Sequence, residues 1–230
     1  MKTSSTIKLS KETFDILKNY SSINSNIFVN EGNVISTISP IKNILSEAHV
    51  TETFDVSFGI WDLPKFLGTL SIFNDPELEF HEKYVLISNG IKTIKYHYSD
   101  PKLLTVPNKK IQMPNIDVSF VISNNELNEL KKAASILGVS DLTIHNNENG
   151  ELFIKVHDKK DVGSNSFILP LDSDEEYLGT FSLNFLIENL KLVSGDYKVD
   201  IASNIVSQFT NMHSDIRYWI ALEMDSVYQN

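Results

Sequence analysis

DPKLLTVPNKKIQMP, residues 100–114 of a 230-residue chain, holds three of its seven prolines. Proline fixes φ and lacks the backbone N–H, so this density forbids a helix or a central strand. The stretch reads as a connector between residues 1–99 and residues 115–230, and the same order of elements stands on both sides of it.

Upstream, Ile7 to Leu9 predicts a short strand, and Ser10 stands as N-cap to a helix with Phe14, Leu17 and Tyr20 on one side. Asn26 to Ile38 predicts a hairpin turning at Asn30-Glu31-Gly32-Asn33. FDVSFGI, residues 54–60, alternates as a single strand, and Asp62 with Pro64 opens a second helix whose apolar set is Leu63, Phe66, Leu67 and Leu70. Strands follow at 77–80, 84–88 and 91–98, the last two joined through Asn89-Gly90.

Downstream the order recurs. Asp117 to Ile122 alternates as a strand, Ser123 caps NNELNELKKAASIL, and residues 141–144 and 152–156 predict a hairpin around Glu148-Asn149-Gly150. At an offset of 113, Phe14, Leu17 and Ile23 align with Leu127, Leu130 and Ile136. At 123, Phe58, Ile60, Leu63, Leu67 and Leu70 align with Phe181, Leu183, Leu186, Leu190 and Val193, which predicts a fourth helix. Leu78 and Phe80 then meet Val199 and Ile201. One such match between amphipathic units arises readily by chance; two in the same order point to duplication.

Composition narrows the chemistry. With 41% hydrophobic and 22% charged residues the chain is of the packed, globular kind. The absence of cysteine excludes disulfides, thiolate metal sites and a cysteine nucleophile. No run of about 18 apolar residues occurs, and MKTSSTIKLS lacks a signal peptide's apolar core, so a soluble, intracellular protein is expected. A net charge of -10 argues against a globally basic nucleic-acid coat but not against one positive face.

Enzymatic signatures are missing. His49, His81, His97, His145, His157 and His213 show no HExxH or HxH spacing. DSDEEYLG begins like a calcium loop with Asp172, Asp174 and Glu176, yet Gly179 falls at its eighth position and Leu183 replaces the bidentate glutamate. No phosphate loop, GxGxxG or nucleophile elbow occurs. No catalytic residue, cofactor or metal is expected.

Five segments carry a resemblance. They are IKLSKETFDILKNYSSINSNI (7–27), FDVSFGIWDLPKFLGTLSIFND (54–75), VPNKKIQMP (106–114), TFSLNFLIENLKLVSGDYK (180–198) and RYWIALEMDS (217–226). In this order and spacing the chain resembles the sliding clamps that confer processivity on DNA polymerases, most closely those of T4-like bacteriophages and more broadly the trimeric proliferating-cell nuclear antigen type. The resemblance implies an α+β DNA clamp fold. It has two similar domains per chain (1–99 and 115–230, joined by the connector 100–114), each of two β-α-β-β-β units, and a homotrimer forms a six-domain ring with helices inside. It further implies encircled double-stranded DNA, a tethered DNA polymerase, a separate ATP-dependent clamp loader, late-transcription factors as further partners, and the cytoplasm of an infected bacterium as the setting.

Site residues follow from the resemblance. The DNA-facing set is Lys11 and Lys18 on the first helix, Lys65 on the second, Lys131 and Lys132 on the third, and Lys191 on the fourth. A lysine suits sliding because a hydrated point charge attracts phosphate without the bidentate docking of arginine. Helix-surface lysines are also commonly just solvated, and Ser135 stands where a second basic residue is expected in the third helix. A partner-peptide pocket is expected from Ile41, Leu104, Val106, Trp219 and Leu222, with exposed leucines in the connector as a docking surface. The alternative is that they pin the connector to the sheet. Subunits are expected to meet where residues 91–98 pair with 167–171 of the next chain. Two other classes stay open on the residues alone: a structural phage assembly protein without DNA function, and a metal-dependent nuclease using the acidic loops.

Overall fold

The computed structural model describes residues 6–108, 111–173, 175–177, 179–203 and 205–229. They divide into two compact units, Met1–Lys110 and Ile111–Asn230. No helix among the described residues is long and apolar enough to cross a membrane.

In the first unit, β1 (Thr6–Ile7) leads into α1 (Lys11–Ile23), then β2 (Ile27–Val29), β3 (Gly32–Ile38), β4 (Ile44–Phe54) and β5 (Phe58–Ile60). Helix α2 (Leu63–Leu70) follows, then β6 (Glu77–Phe80), β7 (Tyr84–Ser88) and β8 (Thr93–His97). Strands β1, β6, β7 and β8 form one antiparallel sheet in that order. Asp62 caps α2 by accepting the Lys65 N–H at 2.9 Å, with Pro64 in the first turn, where its missing N–H costs nothing. An aromatic cluster ties the layers together. Phe58 lies tilted against Phe80 at 4.9 Å and stacks with Tyr98 at 5.5 Å, and Phe54 meets both Phe58 and Phe80 edge-on.

Two expectations fail here. Residues 26–38 do not form a hairpin: β2 pairs with β5 (Ile27↔Ile60), and β3 pairs with β4 (Ile38↔Leu45 to Gly32↔Phe54). The 11-residue β4 takes up the whole of β3, and the register breaks between Gly32 and Val34. FDVSFGI, likewise, is not one strand, because the chain bends between Phe54 and Phe58. Strand β4 escapes sequence reading since two of its inward positions, Ser46 and Glu52, are polar.

Those two polar residues hold α1. Ser46 donates to the Tyr20 hydroxyl at 3.0 Å, and Tyr20 is fully buried. At the other end Ser10 caps the helix by accepting the Thr13 N–H. The buried Glu52 carboxylate accepts from the Ser10 N–H and the Thr13 hydroxyl. Burial alone would push the Glu52 carboxyl up, but these donors outweigh it and hold the group below its usual range.

In the second unit, β9 (Val118–Ile122) runs into α3 (Asn124–Leu137), followed by β10 (Asp141–Asn146), β11 (Leu152–His157), β12 (Phe167–Leu171) and β13 (Thr180–Leu186). Then come β14 (Tyr197–Ala202), β15 (Val206–Asn211), β16 (Ile216–Ala221) and β17 (Val227–Gln229). One sheet has the order β12-β11-β10-β13-β17, and β9, β14, β15 and β16 are hydrogen-bonded in the sequence 9-14-15-16. Helix α3 carries a complete capping box between Ser123 and Glu126 and ends at Gly138, whose φ of 69° suits a residue without Cβ. Its buried stripe is Leu127, Leu130 and Ala134. Ile136, aligned by sequence with the buried Ile23, lies off that stripe and is 72% exposed.

The fourth helix is absent. After β13 the chain makes one 3-10 turn, Ile187–Asn189, and Leu186 offers no side-chain cap. The offset of 123 that aligns Leu63 with Leu186 sets Phe185 against Asp62 and Ile187 against Pro64. Without cap or proline, the first turn lacks what starts α2.

Glu52→Ala should lower stability at pH 7 by about 1–3 kcal/mol, since it strands buried donors. Because the folded pKa of Glu52 lies below the ordinary 4.5, its contribution is present above that value and lost as pH falls through the folded pKa. Urea midpoints from pH 7 downward should therefore converge for the two proteins in acid.

Candidate functional site

The expected basic residues fall into different environments. Lys11 and Lys18 are exposed, about two turns apart on the side of α1 opposite Ile16, Leu17 and Tyr20. Lys65 is exposed on α2, which packs against α1. Asp15 and Glu12 are exposed on α1 as well, so the net charge of that helix surface is small. On α3, Lys132 is exposed, whereas Lys131 is half-buried and burial pushes its ammonium below the usual range. Glu126 does not offset Lys132 freely, because its carboxylate accepts from the Ser123 N–H at 2.8 Å and the Ser123 hydroxyl at 2.7 Å. Lys191 lies beyond the 3-10 turn, half-buried, and not on a helix.

The expected pocket residues divide between the units. In the first, Ile41 is 80% exposed at the tip of the β3–β4 loop. Ser39 fixes that loop: its N–H donates to Ile44 O at 2.8 Å, while its hydroxyl oxygen accepts the Asn43 and Ile44 N–H groups, both at 3.1 Å. Leu104 corrects the expectation of exposed connector leucines, being only 9% exposed. It presses on Gly59, where a Cβ would come within 2.6 Å of the Leu104 Cδ1 and 3.0 Å of the Ser99 carbonyl oxygen, so a side chain at 59 would force Leu104 to shift. Leu103 and Val106 are the exposed neighbours. Asn26 Oδ1 accepts the Thr105 N–H at 3.0 Å, and Asn24 Nδ2 donates to Thr105 O at 3.3 Å and to Ile38 O at 2.8 Å. These bonds bring Val106 and the Ile41 loop to one side of the first unit.

In the second unit Trp219 is buried on β16, on the face opposite Tyr218 and Ile220, and its indole N–H donates to the cross-strand Gln208 at 2.9 Å. Leu222 lines a groove of about 580 Å³ with Ser203, Ile205, Met224, Val227 and Tyr228. Ile205, Met224 and Val227 are exposed and were missed by sequence reading; Ile205 and Met224 each stand as an apolar residue in a polar loop, and Val227 opens β17. Lys159 secures one wall of the groove by pairing with Asp225 at 2.8 Å. That bond from Lys159 holds the Asp225 carboxyl below its usual range, against burial.

The histidines remain apart in use: His157 meets Thr143 at 2.9 Å, His213 meets Asp196 at 2.9 Å, and His81 meets Glu79 at 3.2 Å. Among the described residues no three acidic or histidine side chains group as metal ligands, and Asp174 lies outside those residues.

No family model matches the chain. It is 31% identical over 232 residues to the sliding clamp of Escherichia phage RB69, covering 96% of this chain and 99% of that protein. To the sliding clamp of Vibrio phage KVP40 it is 29% identical over 222 residues, with 94% and 99% covered. Among solved structures, proliferating cell nuclear antigen of A. fulgidus, bound to the C-terminal region of FEN-1, superposes with a TM-score of 0.68 at 12% identity, covering 98% of this chain and 99% of that one.

Leu104→Ala should cost about 2–4 kcal/mol of stability in denaturant unfolding, as buried leucine truncations do. Ile41→Ala should shift it by less than about 0.5 kcal/mol.

Proposed function

The chain belongs to the sliding-clamp family of T4-like phages, and from that premise we propose that three copies close head to tail into a ring of six domains. As a member of that family it is a DNA sliding clamp: it encircles duplex DNA and tethers the replicative polymerase. In this reading the two compact units are the clamp domains, and residues 100–114 connect them.

The observation that carries the trimer is one pair of complementary strands among those that end sheets. Strand β8 hydrogen-bonds only to β7, and β12 only to β11, so each leaves one backbone edge without a ladder partner among the described residues. A second copy supplies each edge with the other. Charge favours this pairing, since Lys92 and Lys95 lie on or beside β8 while Asp172, Glu175 and Glu176 follow β12. Pro170, tolerated only where its nitrogen faces an open edge, removes one donor and confines pairing to the first part of β12.

DNA contact is assigned to Lys11, Lys18, Lys65 and Lys132, with smaller shares for the half-buried Lys131 and Lys191. Attraction without fixed geometry holds the duplex and lets it move. The Leu222 groove, with Ile205, Met224 and Val227, is proposed to receive the apolar anchors of a partner's tail; Ile41 and Val106 offer further apolar contact on the first unit. Leu104 and Trp219 are left to a supporting role, being buried. A separate ATP-dependent loader opens the ring, late-transcription factors are further partners, and the chain itself performs no chemistry. The setting is the cytoplasm of an infected bacterium.

Light scattering over a concentration series should give three times the 26.1 kDa chain mass. A stable dimer or tetramer would overturn the six-domain count. Changing Lys11, Lys18, Lys65 and Lys132 together to alanine should leave that mass unaltered and reduce processive synthesis on circular DNA. Unchanged processivity at physiological salt would remove these lysines from the DNA path.

A further inference from the structure

The chain contains two Asn-Gly pairs in turns, Asn89-Gly90 and Asn149-Gly150, and the fold treats them oppositely. We propose that Asn89 is a site of spontaneous deamidation, with the Gly90 backbone nitrogen as nucleophile, and that Asn149 is protected. The reaction is attack of that nitrogen on the Asn89 Cγ, closing a succinimide and expelling the side-chain nitrogen as ammonia. Water then opens the ring at either carbonyl, giving aspartate or isoaspartate; the net change is hydrolysis of an amide, with no redox step.

Three features favour Asn89. It and Gly90 are both exposed at the tip of the β7–β8 hairpin, so water reaches the intermediate. Nothing lies within 4 Å of where a Gly90 Cβ would stand, and the Gly90 N–H makes no hydrogen bond among the described residues, so the peptide is free to rotate into attack. The Asn89 Oδ1, finally, accepts the Lys92 N–H at 3.1 Å and the Ile91 N–H at 3.4 Å. Donors on that oxygen polarise the amide and stabilise the negative charge that develops there during attack.

Asn149 lacks this freedom. Gly150 is buried, its N–H donates to Asn147 O at 3.0 Å, and its carbonyl accepts the Tyr177 N–H at 3.2 Å. Tyr177 backbone atoms stand 3.2 Å from the position of a Gly150 Cβ, so the would-be nucleophile cannot turn without breaking the loop.

The product matters for assembly, a consequence that rests on the ring proposed above. Isoaspartate adds a main-chain carbon where the Asn89 N–H donates to Lys92 O at 3.3 Å, next to the terminal Ser88↔Thr93 pair of β7 and the edge strand β8. A lengthened turn disturbs the edge that the next subunit uses.

Full-length protein aged at mildly alkaline pH is digested with trypsin. Peptide 84–92 contains Asn89 as its single asparagine, and peptide 133–155 contains Asn149. Conversion in 84–92 should run several times faster than at Asn149 in the folded protein, yield separate aspartate and isoaspartate forms, and lose that advantage in denaturant. Equal rates in the folded state, or aspartate alone, would overturn the site. Light scattering of the aged protein beside an Asn89→Ser variant tests the consequence: earlier loss of the assembled mass in the parent supports it, and a parallel course overturns the link to assembly without touching the peptide result.

Discussion

A sheet that stops leaves a row of backbone donors and acceptors without a ladder, and this constraint shapes the whole protein. Among the described strands that end sheets are β8 in the first unit and β12 in the second. Both strands are short, β8 carries the exposed Lys95 and β12 carries Pro170, features that make an edge poor at pairing indiscriminately. In the proposed ring the two rows satisfy each other, and topology then replaces affinity as the means of staying on DNA. An acidic protein can serve because no tight electrostatic grip is required.

Charge in the sequence is not charge on a surface. Glu52 and Glu126 are both spent on helix starts, one buried under α1 and the other folded back on Ser123. Lys131 is drawn into the packing of α3, while Lys132 beside it stays in water. Capping ties up Glu126 on α3, whereas Glu12 and Asp15 stay exposed on α1 beside Lys11 and Lys18.

Elements announced by local chemistry were legible. Asp62 with Pro64 marks α2, Ser123 with Glu126 marks α3, and Asn89-Gly90 marks the β7–β8 turn, because each signal satisfies its own backbone within a few residues. Strand β4 was illegible, since its inward Ser46 and Glu52 make sense only once α1 lies over them. The supposed hairpin at 26–38 failed for a related reason: β2 and β3 have suitable sequences, but distant partners bind them better. The missing fourth helix shows that an apolar spacing without a cap does not start a helix. Of the site residues, exposure separated Ile41 from Leu104 and Leu222 from Trp219, and exposure is set by what comes to lie against a residue from elsewhere in the chain.

The sequence by itself determined the family, the two-fold repetition about the proline-rich stretch, and the starts of the three helices, because these rest on residue identity and short-range hydrogen bonding. Only the tertiary structure decided strand partners, the open edges, the burial of Leu104 against Gly59, and the groove beside Leu222. Those depend on long-range pairing, where the gain from burial and ladder bonds must exceed the entropy of bringing distant segments together, and local pattern does not encode which pairs achieve it.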